Sequence, residues 1–532
     1  MIIASASGFR KVALIVILNS IILFTNLPVL GQDRVHLSVD TSKPGPKIDR
    51  NIFGQFAEHL GHGVYEGIWV GSDSKIPNTR GIRNDVVAAL KALKVPNVRW
   101  PGGCFADEYH WRKGIGTRAV TLNPNWGGVV EPNTFGTHEF MDFIDQIDSR
   151  AYLSINVGSG TPQEAAEWLE YLTTPLPTTL QKERAANGHP APYKIPMLGI
   201  GNESWDCGGN MTPEYYLRQL TIYSRFVRNF NPAQQGSDQM QKIAVGPGGG
   251  EARWTEWTDT IMKAWQKRQW SWDMQGLSLH NYTVIDWSNK FASVGFGEKE
   301  YAQILKETLQ MEDLITKHSA IMDKYDPEKK IALVVDEWGA WYAPSPGSNP
   351  GFLVQQNSIR DAVLAALNLN IFARHADRVR GANIAQMINV LQAMIMTDKE
   401  RMVLTPTYHV FKMYVPFQDA TFIPVTFNTG TYTNGEISLP RVDGIAAKDS
   451  AGKLWLALTN IDPNNAVEVE ADFAGVNVSS ATGETLTAPK VDSVNTFDAP
   501  NAVTPRRISA RVQGGKLTIK LDPKSVTVVS IS

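Results

Sequence analysis

Pro196-Met197-Leu198-Gly199-Ile200-Gly201-Asn202-Glu203-Ser204-Trp205 is a short apolar run that ends on an acid. Ala332-Leu333-Val334-Val335-Asp336-Glu337-Trp338 does the same further along the chain. Runs this short and this apolar suit strands covered on both faces, as in a parallel sheet. Six more β-type runs complete a set of eight, at residues 51–58, 97–101, 152–157, 196–202, 242–246, 276–282, 330–338 and 380–387. Helical patterns fill the gaps. Val86, Val87, Leu90 and Leu93 make one apolar stripe, and Phe140, Met141, Ile144 and Ile147 another. Thr161-Pro162-Gln163-Glu164 reads as a capping box with proline at the first helical position, and Thr212-Pro213 opens the next helix in the same style. Strands that alternate with helices make a parallel sheet, because parallel neighbours need crossovers. Eight such units point to an α/β fold, a closed (β/α)8 TIM barrel over residues 47–407, ahead of an open doubly wound sheet.

After about Tyr408 the texture changes. Helical periodicity stops at Phe411-Lys412-Met413-Tyr414, and short alternating runs follow at 444–448, 454–459, 467–473, 508–512, 516–521 and 525–531. Residues 408–532 therefore read as a C-terminal all-β sandwich of jelly-roll type. Residues 32–46 hold one alternating run, Val35 to Val39, with no helix of its own; that strand is expected to join the sandwich. Residues 1–31 read as a signal peptide: Arg10 and Lys11, an apolar stretch over 12–24, then Val29-Leu30-Gly31 as a cleavage site. Export follows, to the periplasm or the medium, with no membrane span in the mature chain.

The 51 basic and 53 acidic side chains leave a formal charge of −2, so no basic field exists to hold nucleic acid. The 15 tryptophans suit a sugar-binding protein, since flat ring faces cover the C–H faces of sugars. Two cysteines, Cys104 and Cys207, are too few for a disulfide framework; both stand in Gly-rich loops as neighbours of the site. His59 with His62, and His110 with Glu108, are too sparse for a metal set, so no metal or cofactor is expected.

Barrel enzymes place their chemistry at the C-terminal strand ends. There the fourth run delivers Glu203 and the seventh Glu337. A carboxylate at the end of an apolar strand is costly unless it is paired or used. Two facing carboxylates are what glycoside hydrolysis requires, one protonated to donate to the leaving oxygen and one ionised to attack. Other ends supply Glu58 and His59, Arg99, Cys104, the triplet His280-Asn281-Tyr282, Gln386 and Asn389. Singly, His280 also reads as a satisfied buried imidazole and Arg99 as a structural ion-pair partner. Together they form a ring of donors and acceptors suited to sugar hydroxyls.

Phe53-Gly54-Gln55-Phe56-Ala57-Glu58-His59-Leu60-Gly61, Tyr65-Glu66-Gly67-Ile68-Trp69-Val70-Gly71, Arg99-Trp100-Pro101-Gly102-Gly103-Cys104-Phe105, Gly201-Asn202-Glu203, Asp336-Glu337-Trp338 and Ala385-Gln386-Met387-Ile388-Asn389-Val390-Leu391-Gln392 carry a further signal. In these motifs the chain resembles the α-L-arabinofuranosidases of glycoside hydrolase family 51, over nearly the whole sequence after residue 31. The resemblance implies a retaining, exo-acting enzyme that releases terminal α-L-arabinofuranosyl residues from plant cell-wall polysaccharides or oligosaccharides by double displacement. It implies Glu203 as acid/base, Glu337 as nucleophile and Asn202 as partner of the sugar 2-hydroxyl. It implies Glu58 and Gln386 as further sugar contacts, Tyr282 against the nucleophile, and Arg99 and His280 in the polar network. Cys104 stands where some relatives carry Asn, and is placed beside the sugar. Relatives are often oligomers, so a homo-oligomer is an expectation too. A barrel glycosidase of other specificity, such as an endo-β-glucanase or β-xylosidase, and a non-catalytic carbohydrate-binding protein are the competing readings.

Overall fold

The computed structural model describes residues 34–532; the signal peptide expected over 1–31 lies outside them. Eight parallel strands close into a barrel: β2 (Gly54–Phe56), β3 (Val98–Trp100), β4 (Ala151–Ile155), β5 (Met197–Ile200), β6 (Gln241–Ala244), β7 (Gly276–Thr283), β8 (Ala332–Ala340) and β9 (Val379–Ile384). They pair in chain order, and β9 closes on β2 through Asn383 opposite Gly54 and Ile384 opposite Gln55. Each of the eight expected runs overlaps one of these strands. They were readable because β4, β5 and β8 are buried along their whole length, which removes the alternation of a half-exposed strand.

Helices wrap the barrel: α1 (Asn84–Leu93), α2 (Thr137–Gln146), α3 (Pro162–Thr173), α4 (Thr179–Ala186), α5 (Pro213–Phe226), α6 (Ala252–Gln266), α7 (Glu298–Tyr325), α8 (Ile359–Arg374) and α9 (Pro406–Met413). The Thr161 hydroxyl accepts from Glu164 N at 3.1 Å, so the N-cap of α3 forms. The reciprocal half of the expected capping box does not: the Glu164 carboxylate turns to His110 Nδ1 at 2.9 Å. Among the described residues no helix is long and apolar enough to cross a membrane.

Two further sheets stack into a sandwich. One has the order β11-β1-β14-β18-β17, the other β10-β12-β13-β19-β15-β16. Their members are β1 (Val35–Asp40), β10 (Thr421–Ile423), β11 (Val425–Phe427), β12 (Val442–Lys448), β13 (Leu454–Asn460), β14 (Val467–Ala474), β15 (Ala481–Leu486), β16 (Arg506–Ser509), β17 (Arg511–Gln513), β18 (Lys516–Leu521) and β19 (Ser525–Ile531). β1 lies parallel to β14 and antiparallel to β11, with Val35, Leu37 and Val39 in the core between the sheets. The sandwich is tied to the barrel at Asp443, which accepts from Asn370 Nδ2 at 2.8 Å and from Arg374 Nη1 at 2.9 Å, both on α8.

The barrel floor rests on one buried cation. Arg378 enters β9 and donates to Asp326 Oδ2 at 2.8 Å, Asp326 O at 2.8 Å and Ile331 O at 2.9 Å, joining the end of α7 to the start of β8. Arg378→Ala leaves Asp326 buried without its counter-charge, so a stability loss of about 3–5 kcal/mol is expected in urea unfolding. This face lies opposite the barrel mouth, so kcat of the folded fraction should stay at the wild-type value.

Candidate active site

At the barrel mouth the strand ends converge on a cavity of about 710 Å³, lined by Glu58, Cys104, Glu203, His280, Tyr282, Glu337 and Gln386 among others. Register shifts set this up. The pairing of β8 with β9 slips between Val335 and Trp338, and that of β7 with β8 slips between Ser278 and His280. The slips break strict alternation, and Asp336 and Glu337, neighbours in sequence, both contact Arg99.

Arg99 is fully buried. It donates to Glu337 Oε1 at 2.8 Å and to Asn202 Oδ1 at 2.6 Å, and its Nε stands 3.6 Å from Asp336 Oδ2. Since Asn202 accepts through its oxygen, its amide nitrogen is the donor end, and it lies 3.6 Å from the Cys207 sulfur. The other Glu337 oxygen accepts from Tyr282 Oη at 2.8 Å. Glu337 is therefore fixed at both oxygens by donors.

Glu203 sits differently. His280 Nδ1 lies 2.9 Å from its Oε1, while His280 Nε2 faces Asp336 Oδ1 at 3.1 Å. Burial, and after it the neighbouring charge of Glu337, push the Glu203 carboxyl up from its ordinary range. Burial alone would lower His280, but Glu337 and Asp336 outweigh it and lift the imidazole to about 10. One oxygen each of Glu203, Glu337 and one His280 nitrogen all lie within 4.8 Å of one another. That is the close spacing of a retaining pair, too tight for the water an inverting pair must admit.

Glu58 accepts from Phe105 N at 3.0 Å, Trp126 Nε1 at 2.9 Å and Gln386 Nε2 at 2.9 Å. Burial, then the Glu337 charge, raise it to about 7. It needs the glycine beside it: a Cβ on Gly103 would stand 2.5 Å from Glu58 Oε1. Gly103→Ala is expected to displace Glu58 and lower kcat/KM on the order of 10²-fold with the thermal midpoint little changed, as steady-state assays and a melt would record.

Not every expected residue reaches the cavity. His59 points away: Trp100 Nε1 donates to its Nε2 at 3.1 Å, its Nδ1 lies 3.1 Å from Glu131 Oε2, and its ring stacks on Phe105. Asn389 bonds His62 O and Thr397 instead. Three residues were missed. Asp336 partners His280 and accepts from Tyr152 Oη at 2.6 Å. Trp126 reaches Glu58 from a hairpin formed by Thr121–Asn123 and Val129–Glu131. Asp107 accepts from Val157 N and Gly158 N at 2.9 Å and from Asn202 N at 3.2 Å, clamping the ends of β4 and β5. The cysteines differ most from expectation. Cys104 and Cys207 form a disulfide, so Cys104 offers the sugar no thiol.

Residues 89–271 match the family profile described as Alpha-L-arabinofuranosidase 1 domain, and residues 336–525 that of the Alpha-L-arabinofuranosidase C-terminal domain. The chain is 42% identical over 97% of its length, and 99% of the relative's, to the "Intracellular exo-alpha-L-arabinofuranosidase" of Bacteroides ovatus. This chain belongs to the α-L-arabinofuranosidases of glycoside hydrolase family 51. The crystal structure of the GH51 arabinofuranosidase from Xanthomonas axonopodis pv. citri superposes with a TM-score of 0.90 at 50% identity, covering 94% of this chain and all of that one. A 28% identical arabinofuranosidase of Halalkalibacterium halodurans, aligned over 76% of this chain and 78% of its own, is named an "Intracellular exo-alpha-(1->5)-L-arabinofuranosidase". The names of the two relatives overturn the expected export. Both names place those relatives inside the cell, against the secreted or periplasmic reading.

Proposed function

We propose that this arabinofuranosidase, an exo-acting glycoside hydrolase of arabinose-containing glycans, uses Glu337 as nucleophile and Glu203 as acid/base. The observation that carries the assignment is their asymmetry. Glu337 is held at both oxygens by Arg99 and Tyr282, whereas Glu203 is raised by burial and keeps one oxygen toward the cavity.

Glu337 attacks the anomeric carbon of the terminal arabinofuranose while Glu203 gives its proton to the departing oxygen. A covalent glycosyl-enzyme forms. Glu203, now ionised, takes a proton from water, which releases arabinose with retained configuration. The amide nitrogen of Asn202 meets the 2-hydroxyl, and Glu58, steadied by Gln386 and Trp126, accepts from further hydroxyls. His280, with Asp336 behind it, fixes the orientation of Glu203. Turnover of an aryl α-L-arabinofuranoside against the matching aryl xyloside and glucoside tests the substrate class. Preference for either of the latter would sink it.

The pH dependence follows from the direction of the Glu203 shift. The acid must be protonated to act, and its folded pKa lies above the usual 4.5. Activity therefore persists above the ordinary carboxylate range and falls as pH rises through the raised value. Asp336→Asn removes a charge that helps hold His280 protonated, so less positive charge then faces Glu203. The alkaline limb of kcat/KM should move to higher pH, as a profile taken across pH 4–9 on an alkyl arabinofuranoside would record.

A further inference from the structure

The disulfide lies inside the site. Cys104 lines the cavity, and the next amide, Phe105 N, is one of the three donors to Glu58. Cys207 lies four residues beyond Glu203, in a loop folded back by Asp206 N and Gly208 N, which donate to Glu203 O at 2.7 and 3.0 Å. The bridge thus joins the loop that holds Glu58 to the loop that carries Glu203. Both cysteines are half-buried, within reach of a small reductant. The Cys207 sulfur stands 3.8 Å from Glu203 Oε2, the carboxyl oxygen that His280 does not hold. In the bridge that sulfur carries no proton, so the contact is not a hydrogen bond. A thiol in its place is a donor.

We propose that Cys104 and Cys207 are a reversible thiol–disulfide modification site that sets how well Glu203 protonates the leaving group. The inference rests on Glu203 being the acid/base. A dithiol reductant supplies the two electrons and two protons. Its thiolate attacks the Cys104 sulfur and expels Cys207 as a thiolate. Its second thiolate then closes on its own sulfur, releases Cys104 and departs as a cyclic disulfide, and both cysteines take up protons. The new Cys207 S–H donates to Glu203 Oε2. That favours the ionised carboxylate and engages the oxygen that must face the departing group. The bond between the two loops is lost at the same time. An enzyme inside the cell meets a thiol poise that can open such a bridge, which a structural disulfide of an exported protein escapes.

The test compares the full-length enzyme before and after dithiothreitol, with free thiols counted by alkylation and intact mass. Reduction should free two thiols and lower kcat/KM on an alkyl arabinofuranoside about tenfold, a part of what acid catalysis contributes, with its alkaline limb moved to lower pH. A dinitrophenyl arabinofuranoside, whose departure needs no proton, should change less than about twofold. Reoxidation should restore the alkyl rate. Cys207→Ser, which keeps a hydroxyl donor, should resemble the reduced enzyme whatever the reductant. Cys207→Ala, which has neither bridge nor donor, should not respond to dithiothreitol. Equal losses on both substrates, no loss once two thiols are freed, or serine and alanine variants that behave alike would each overturn the proposal. The Glu203→Ala enzyme keeps this failure separate. If it loses the alkyl substrate selectively while reduction does nothing, only the redox inference falls; if it shows no such selectivity, the acid/base assignment falls first.

Discussion

Glu337→Ala should lose activity on every arabinofuranoside, activated or not, on the order of 10⁵-fold in kcat, the scale seen when a covalent nucleophile is removed. By transition-state arithmetic that is about 7 kcal/mol. The loss cannot depend on the leaving group, because no bond forms to the anomeric carbon however readily the aglycone departs. The variant should still fold. Arg99 keeps Asn202 at 2.6 Å and Asp336 at 3.6 Å, so its charge is not left without a partner. The measurement is kcat on alkyl and dinitrophenyl arabinofuranosides with a thermal melt alongside. Azide is a second readout. It can occupy the space of the lost carboxylate and displace the aglycone from that face, giving an inverted product. A retained-configuration glycosyl azide from this variant would assign the nucleophile elsewhere.

The barrel was legible because its physics is repetitive. A strand buried on both faces has to be apolar throughout, and a carboxylate at the end of such a strand stands out, as Glu203 and Glu337 do. Strands of the sandwich were legible only where they alternate. β15 was missed because Ala481–Leu486 reads Ala-Thr-Gly-Glu-Thr-Leu, polar and with a glycine inside. The structure explains that glycine: a Cβ on Gly483 would lie 2.0 Å from Val528 O, so the neighbouring strand approaches too closely for a side chain. Sequence patterning reports which face is buried and carries no record of how close two backbones come.

The site was legible at strand ends and illegible where it depends on pairing across distance. Cys104 and Cys207 are 103 residues apart, and nothing local to either announces a partner. Asp336 was visible in its motif, yet strict alternation turns it away from Glu337. Only the register slips of β8 bring both to Arg99. Trp126 comes from a hairpin of three-residue strands, too short for a periodic signal. His59 shows the converse error. It sits next to Glu58 in a motif that marks the site, but successive residues leaving a strand point opposite ways, and it stacks into the core behind the cavity.

Glu203→Ala should separate substrates that Glu337→Ala treats alike. An alkyl alcohol departs poorly without a proton, so kcat/KM on an alkyl arabinofuranoside should fall on the order of 10³-fold. A dinitrophenolate leaves unaided, so kcat/KM on that substrate should fall about tenfold or less. Its kcat should fall further than its kcat/KM, because Glu203 also activates the water that cleaves the covalent intermediate. The intermediate then accumulates, and rapid mixing should show a burst of aglycone near one equivalent per enzyme. Azide needs no general base. It can enter where the carboxylate stood, attack the intermediate and give a glycosyl azide of retained configuration, with kcat rising as azide is added. The alkaline limb should vanish from the alkyl profile, since the group whose raised pKa created it is gone. The two alanine variants thus constrain each other: opposite azide stereochemistry and opposite leaving-group dependence leave only one way to divide the two carboxylates between attack and proton transfer.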